Sequence, residues 1–151
     1  MQKISTFLWF NGNGQEALDL YVSIFKNAEI KQVSKHGGQL FSATIELEGT
    51  EFMILNWQGE YQFSPAISLF VKCRDQEEVD EIWNKMLDNE AKPMQCGWIT
   101  DKFGVSWQII PDALGRLMND PDPAKAQRVM QAMMKMVKID VAGLEEAYNN
   151  G

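Results

Sequence analysis

The chain has 151 residues, enough for one small domain, and its 45% hydrophobic and 23% charged residues are those of a globular protein with a real core. A net charge of −7 repels phosphate backbones, which argues against nucleic acid as a partner. No stretch reaches the roughly 18 apolar residues of a membrane span, and Met1-Gln2-Lys3-Ile4-Ser5 carries no extended apolar signal region, so no membrane partner and a cytoplasmic location are expected. Cys73 and Cys96 are too far apart for a C-x-x-C pattern and are expected to be reduced and mostly buried.

Taken in order, Ile4–Phe10 is apolar and rich in strand formers, and Asn11–Asn13 breaks it. Asn13, with Glu16 three positions on, has capping-box spacing for a helix carrying Ala17, Leu18, Tyr21, Ile24 and Phe25 at helical period. A weak strand near Glu29–Lys35 leads to a hairpin turn at His36-Gly37-Gly38-Gln39. Phe41–Leu47 alternates, with Phe41, Ala43, Ile45 and Leu47 on one face, and Phe52–Trp57 returns after Glu48-Gly49-Thr50. The order is strand, helix, three strands.

It then restarts. Ala66–Cys73 reads as a strand, Asp75 with Glu78 caps a helix, and Val79, Ile82, Trp83, Met86 and Leu87 form its apolar stripe. Shifted by 62 positions, Asn13 falls on Asp75, Ala17 on Val79, Tyr21 on Trp83 and Phe25 on Leu87, so cap and apolar face repeat together. Short strands are expected at Met94–Cys96, Gly97–Thr100 and Val105–Ile110, with a turn at Lys102-Phe103-Gly104. After Pro111 the pattern becomes helical: Asp112–Met118, then a helix begun by Asp122-Pro123 with Ala126, Val129, Met130, Met133 and Val137 as its stripe, then one capped by Asp140 and carrying Leu144, Ala147 and Tyr148. The expected organisation is a duplicated core over 1–111, with halves 1–62 and 63–111, and a helical extension over 112–151 of the same domain.

One βαβββ unit covers one sheet face with its helix and leaves the other to be covered or used. Two units side by side would form a curved mixed sheet around a cavity, in an α+β fold, and period-two alternation selects the side chains that line it. In the first strand the bulky Phe7 and Trp9 suit the helix side, which leaves Thr6 and Leu8 for the cavity. In Ala66–Cys73, Ile67, Leu69 and Val71 suit the helix side and Ala66, Ser68 and Phe70 the cavity. Val105, Trp107 and Ile109 leave Ser106 and Gln108, and Phe52–Trp57 turns Met53, Leu55 and Trp57 inward. The resulting wall is apolar with a few neutral polar groups, the make-up of a small-molecule pocket; a filled core is the other reading.

The stretches Phe7-Leu8-Trp9-Phe10, Ala17 to Phe25, Cys96-Gly97-Trp98, Asp101 to Pro111 and Asp120 to Met133 carry a family likeness. The chain resembles the vicinal oxygen chelate superfamily, which includes glyoxalase and bleomycin-resistance proteins, and within it the PhnB-like branch often labelled demethylubiquinone-methyltransferase-like. The likeness spans nearly the whole chain, tail included. Metal-dependent members use four inward ligand positions, two per half. The resemblance puts these on Thr6, Met53 (or its neighbour Asn56), Ala66 and Gln108. None is a good divalent-metal ligand, since Gln is a weak neutral donor, so the resemblance implies the fold without the metal chemistry. It also implies a homodimer.

Other signals are weaker. Gly12, Gly14 and Ala17 fit G-x-G-x-x-A, but the next strand enters a hairpin and no acidic residue stands near Lys31–Gln32, so no cofactor is expected. Cys96 is a weak nucleophile candidate without an acid-base neighbour in sequence, and His36, the single histidine, sits in a turn. Asp19, Asp101 and the Glu77-Glu78-Asp80-Glu81 run read as helix faces and turns. The Met-rich tail helix reads as core or dimer packing. Together these favour a protein binding a small organic ligand through Thr6, Leu8, Met53, Trp57, Ser68, Phe70, Ser106 and Gln108. The alternatives are an enzyme acting on a small organic substrate, with Gln108, Ser68 or Cys96 involved, and a structural or assembly role.

Overall fold

The computed structural model describes residues 2–150. The elements run β1 (Thr6–Phe10), α1 (Gly14–Ile24), β2 (Ala28–His36), β3 (Gln39–Leu47), β4 (Thr50–Asn56), β5 (Ser68–Cys73), α2 (Gln76–Asp88), β6 (Lys92–Pro93), β7 (Trp98–Thr100), β8 (Ser106–Pro111), α3 (Asp112–Met118), α4 (Pro123–Met133) and α5 (Val141–Asn149). The protein is α+β, with two four-stranded mixed sheets ordered β1-β4-β3-β2 and β5-β8-β7-β6, neither closed into a barrel. In each, the first strand pairs in parallel with the last and the other pairings are antiparallel, so βαβββ occurs twice. The chain divides into two units, Met1–Gln62 and Phe63–Gly151.

In the first unit α1 lays Ala17, Leu18, Tyr21 and Ile24 on its sheet, all buried. Phe10 meets Tyr21 ring to ring at 6.1 Å, and Leu8 pairs across to the fully buried Ile54. The helix side of β1 is therefore Leu8 and Phe10, not Phe7 and Trp9. The last strand residue before the turn lies under the helix, and alternation then fixes Leu8; bulk alone misassigned the face. Trp9 instead donates its indole N–H to the Trp57 carbonyl at 2.9 Å and stacks edge-on with Tyr61 at 5.0 Å. Asn13 makes no side-chain cap. The Gly14 amide donates to Asn56 Oδ1 at 2.9 Å, and Asn56 Nδ2 donates to the Leu40 carbonyl at 2.9 Å. A Cβ on Gly14 would lie 2.7 Å from the Asn56 Cβ, so glycine is what permits this approach.

Both hairpin turns of this unit place two successive residues at positive φ, Gly37-Gly38 and Glu48-Gly49, as a type I′ turn requires. The β2–β3 ladder shifts register between Ser34 and Lys35, so that Ser34 faces Ser42 while Lys35 faces Leu40. Phe41 is the extra residue of this bulge. Leu40 takes the buried place expected for Phe41, which turns outward.

In the second unit Asp75 Oδ1 accepts from the Glu78 amide at 3.0 Å, the cap its spacing announces, and Glu78 Oε1 reaches back one residue beyond the cap to accept from the Arg74 amide at 2.8 Å. Val79, Ile82, Trp83 and Met86 are buried under α2, whereas Leu87 stays exposed and leaves the expected stripe. Asp101 is a buried carboxylate: Oδ1 accepts from the Phe103 and Val105 amides and Oδ2 from the Trp107 indole, each at 2.9 Å. It sets the turn into β8. The strand expected at Met94–Cys96 is replaced by the shorter β6, because Cys96 and Gly97 adopt positive φ and give their amides to the Met136 and Val137 carbonyls, each at 2.8 Å.

The tail forms its own core. Ile110, Leu114, Leu117, Val129, Ile139 and Leu144 bury together, with Met118, Met133, Met136 and Tyr148 packed on them. Arg128 holds the end of α5 through the Ala147 and Tyr148 carbonyls, and the Tyr148 hydroxyl donates to Asp120 at 2.7 Å, holding that carboxyl below the usual range. Gln76 of α2 accepts from the Val141 amide and donates to the Ile139 carbonyl. Lys138 pairs with Asp80 at 2.8 Å and lowers its pKa. No helix among the described residues is long and apolar enough to cross a membrane.

Candidate functional site

Each sheet has a face turned away from its helix, and residues paired across a ladder share a face. In the first unit that face carries Phe7 opposite Met53 and Trp9 opposite Leu55, with Thr44 and Ser42 following on β3. Phe7, Met53 and Trp57 are exposed, Phe7 at 53%. Ile54 lies buried on the other side, so Met53, Leu55 and Trp57 share the face turned away from the helix and Asn56 belongs to the helix side. Leu8 is a core residue, which withdraws it from the ligand-facing set. Thr6, exposed at the start of the strand, shares Leu8's face by alternation.

In the second unit the corresponding face carries the row Phe70, Gln108, Trp98 and the row Ser68, Ser106, Thr100. Phe70 is 53% exposed. Gln108 Nε2 donates to Ser68 Oγ at 2.9 Å, and among the described residues its Oε1 accepts no hydrogen bond. The amide is thus oriented by a neighbour and offers an acceptor between the aromatic side chains of its own row, Phe70 and Trp98. Ser106 is 1% exposed and cannot meet a ligand as the protein stands. Ala66 lies outside β5, and Ile67, expected on the helix side, is exposed ahead of the strand. Structure therefore brings Ser68, Phe70 and Gln108 together in one unit, and Met53 and Trp57 onto the open side of the other.

Thr6, Met53, Ala66 and Gln108 do not fit a resident divalent metal: the set supplies one neutral amide oxygen, one hydroxyl on the helix side of its strand, a thioether and a methyl group. Among the described residues no three His, Cys, Asp or Glu side chains group so as to hold an ion. Cys96 is half-buried, and what distinguishes it is its backbone, which receives the tail. A Cβ on Gly97 would meet Ile110 Cδ1 at 2.7 Å and Ile139 Cγ1 at 2.9 Å, so Cys96-Gly97-Trp98 is the seat of the tail. Cys73 is fully buried, and burial first, then nearby Glu78, pushes its thiol up to about 12. Asn56 and Arg128, which sequence reasoning passed over as fold-organising residues, act across 42 and 19–20 positions, beyond any local pattern.

A fold of two βαβββ units with a helix on one face of each sheet defines the glyoxalase and bleomycin-resistance class of the vicinal oxygen chelate superfamily. The sequence profile described as 3-demethylubiquinone-9 3-methyltransferase matches residues 2–110, and the chain belongs to that family, the PhnB-like branch. A solved protein described as a putative 3-demethylubiquinone-9 3-methyltransferase, PhnB protein, from Bacillus cereus is 33% identical over 73% of this chain and 99% of its own, with a TM-score of 0.67. Protein PA1353 from Pseudomonas aeruginosa is 17% identical over 74% of this chain and 98% of its own, TM-score 0.55. The fosfomycin resistance protein FosX from Listeria monocytogenes, solved with Mn(II) and sulfate, is 16% identical over 71% and 89%, TM-score 0.51; these two share the fold. No curated protein sequence matches. The profile match ends at residue 110, so the tail, which the sequence likeness took in, lies outside it.

Proposed function

We propose that this chain binds a small, mostly apolar organic molecule and does so without a catalytic metal. The observation that carries the reading is the open face of the second sheet, where exposed Phe70 stands beside a Gln108 amide whose Oε1 is unused. Large apolar groups give such a ligand its area, and one oriented amide selects it. The test uses the molecule that co-purifies with the protein, identified by native mass spectrometry. Gln108→Ala should weaken its binding roughly tenfold, the cost of leaving one polar atom unpaired. Unchanged affinity would remove Gln108 from the site. One tightly held Ni, Zn, Fe or Mn per chain, lost on changing these strands, would overturn the metal-free reading.

The second reading is an enzyme acting on a small organic substrate, which the description of the family profile favours. A methyl donor held by the Gly12–Gly14 turn has little support, because the Gly14 amide is already taken by Asn56. We also propose a homodimer braced by the tail. The last helix closes over Met136, with Gly143 beside its Cε, yet Met130, Met134 and Val137 remain exposed. Light scattering at micromolar concentration should give a dimer, and Met134→Lys with Val137→Lys should shift it toward monomer; a monomeric wild type would refute it.

A further inference from the structure

The first unit holds a cavity of about 490 Å³ at the turn end of its long hairpin, walled by His36, Gln39, Phe41, Asn56, Trp57 and Gln58 among others. That volume is in the range of small-molecule sites. Two aromatic rings meet here edge to face, Phe41 and Trp57 at 5.8 Å and 83°, and His36 lies 6.3 Å from Phe41. Both rings are exposed, Trp57 at 51%. Their positions are imposed by the backbone. Phe41 is the extra residue of the β3 bulge and is thereby turned out of the core. Trp57 gives its amide to the Phe10 carbonyl at 3.1 Å, and its carbonyl takes the Trp9 indole N–H at 2.9 Å. An aromatic pair held this way pays little ordering entropy on meeting a third ring.

The polar groups narrow the ligand further. None of the lining residues is Asp, Glu, Lys or Arg. Asn56 is occupied at both ends of its amide by the fold. The side chains of Gln39, Gln58 and His36 make no hydrogen bond to the described residues. They leave two amides and an imidazole around an aromatic wall, able to donate and accept at a ligand's edge.

We propose that this cavity is a second binding site, for a neutral planar aromatic molecule bearing an amide-like donor and acceptor at its edge. Of the eight side chains expected to face a ligand it includes only Trp57, and it stands whether or not Gln108 binds anything. The test is NMR titration of the full chain with benzamide, against cyclohexanecarboxamide, which keeps the amide and lacks the aromatic ring. Benzamide should saturably shift the His36 ring, the Trp57 indole and the Gln39 and Gln58 side-chain amides, and cyclohexanecarboxamide should bind at least fivefold more weakly. Phe41→Leu should weaken benzamide roughly threefold to tenfold, the worth of an aromatic edge or face contact. His36→Gln, with backbone resonances unmoved, should keep the preference for the aromatic ring. Equal binding of the two amides, no saturable shift at these residues, or a Phe41→Leu affinity equal to wild type in a chain with an unchanged spectrum would each overturn the proposal. Loss of Gln108-dependent binding elsewhere leaves this result standing.

Discussion

The two units solve one problem in two ways. In each, a helix follows a strand that pairs in parallel with the last strand of its unit, and the first helical amides need acceptors. In the first unit the strand-end pair is Phe10 with Asn56, and Asn56 reaches the Gly14 amide. In the second the equivalent pair is Cys73 with Pro111, which has no side-chain acceptor, and the helix is capped by its own neighbour Asp75. The second hairpin is also cut short, β6 having two residues where β2 has nine, and the turn at Cys96-Gly97 receives the tail. Duplication conserves topology here while the polar contacts that hold it are rebuilt, from long-range neutral amide to local carboxylate.

The sharpest way to break this contrast is at the buried carboxylate. Asp101→Ala leaves two backbone amides and the Trp107 indole without their acceptor. It should cost about 3 kcal/mol or more, since bonds to a charged group are the stronger kind. Residue-resolved amide exchange should show the loss in β7 and β8, with the first unit's amides less affected. An even loss across both units would mean that they unfold as one body and that local carboxylates do not set the second unit's stability.

Next in size is the pair of caps. Asn56→Ala removes both the acceptor of Gly14 and the donor to Leu40, and should cost about 2 kcal/mol. Asp75→Ala removes one cap bond and should cost about 1 kcal/mol. Urea unfolding of the two variants gives the comparison directly. An Asp75 effect larger than that of Asn56 would reverse the ranking of distant over local support.

The same contrast decides what could be read from the chain before its structure was known. Asp75 with Glu78, Asp122 with Pro123 and the stripes of α1 carry local signals, and the structure places them as expected. Asn13 has the same spacing and makes no side-chain cap; the support at this helix start is Asn56, which accepts from the Gly14 amide. The β1 face was misread because residue size is a poor guide where Trp9 can send its indole N–H to a carbonyl outside the core. The outward Phe41 depends on a bulge, and a one-residue slip in register reverses a strand's faces beyond it. Of the candidate site, the Ser68, Phe70, Gln108 cluster followed from alternation alone. The cavity around His36, Phe41 and Trp57 needed the bulge to be seen.

The smallest effect separates the two strand ends themselves. Phe10 and Cys73 occupy equivalent places and both are fully buried, but only one titrates. Burial, and after it the charges of Glu78, Asp112 and Asp75, raise the Cys73 thiol from an ordinary 9.0 to about 12. Between those values the unfolded chain has lost a proton that the native chain keeps. The unfolded state then binds fewer protons, and stability falls as pH rises, with nothing lost below pH 9. Amide exchange above pH 9 should therefore show β5 and α2 losing protection faster with pH than β1 and α1. Cys73→Ala will lower stability at every pH by opening a small cavity, so the measured quantity is the slope against pH and not the level. That slope should flatten relative to wild type, because the lysines and tyrosines that titrate in the same range are common to both proteins and cancel in the difference. At pH 8 native Cys73 should resist iodoacetamide. A slope unchanged by Cys73→Ala, or ready alkylation of Cys73 in the native protein, would show that this thiol is not sealed under α2 and that the two strand ends are less alike than their topology makes them.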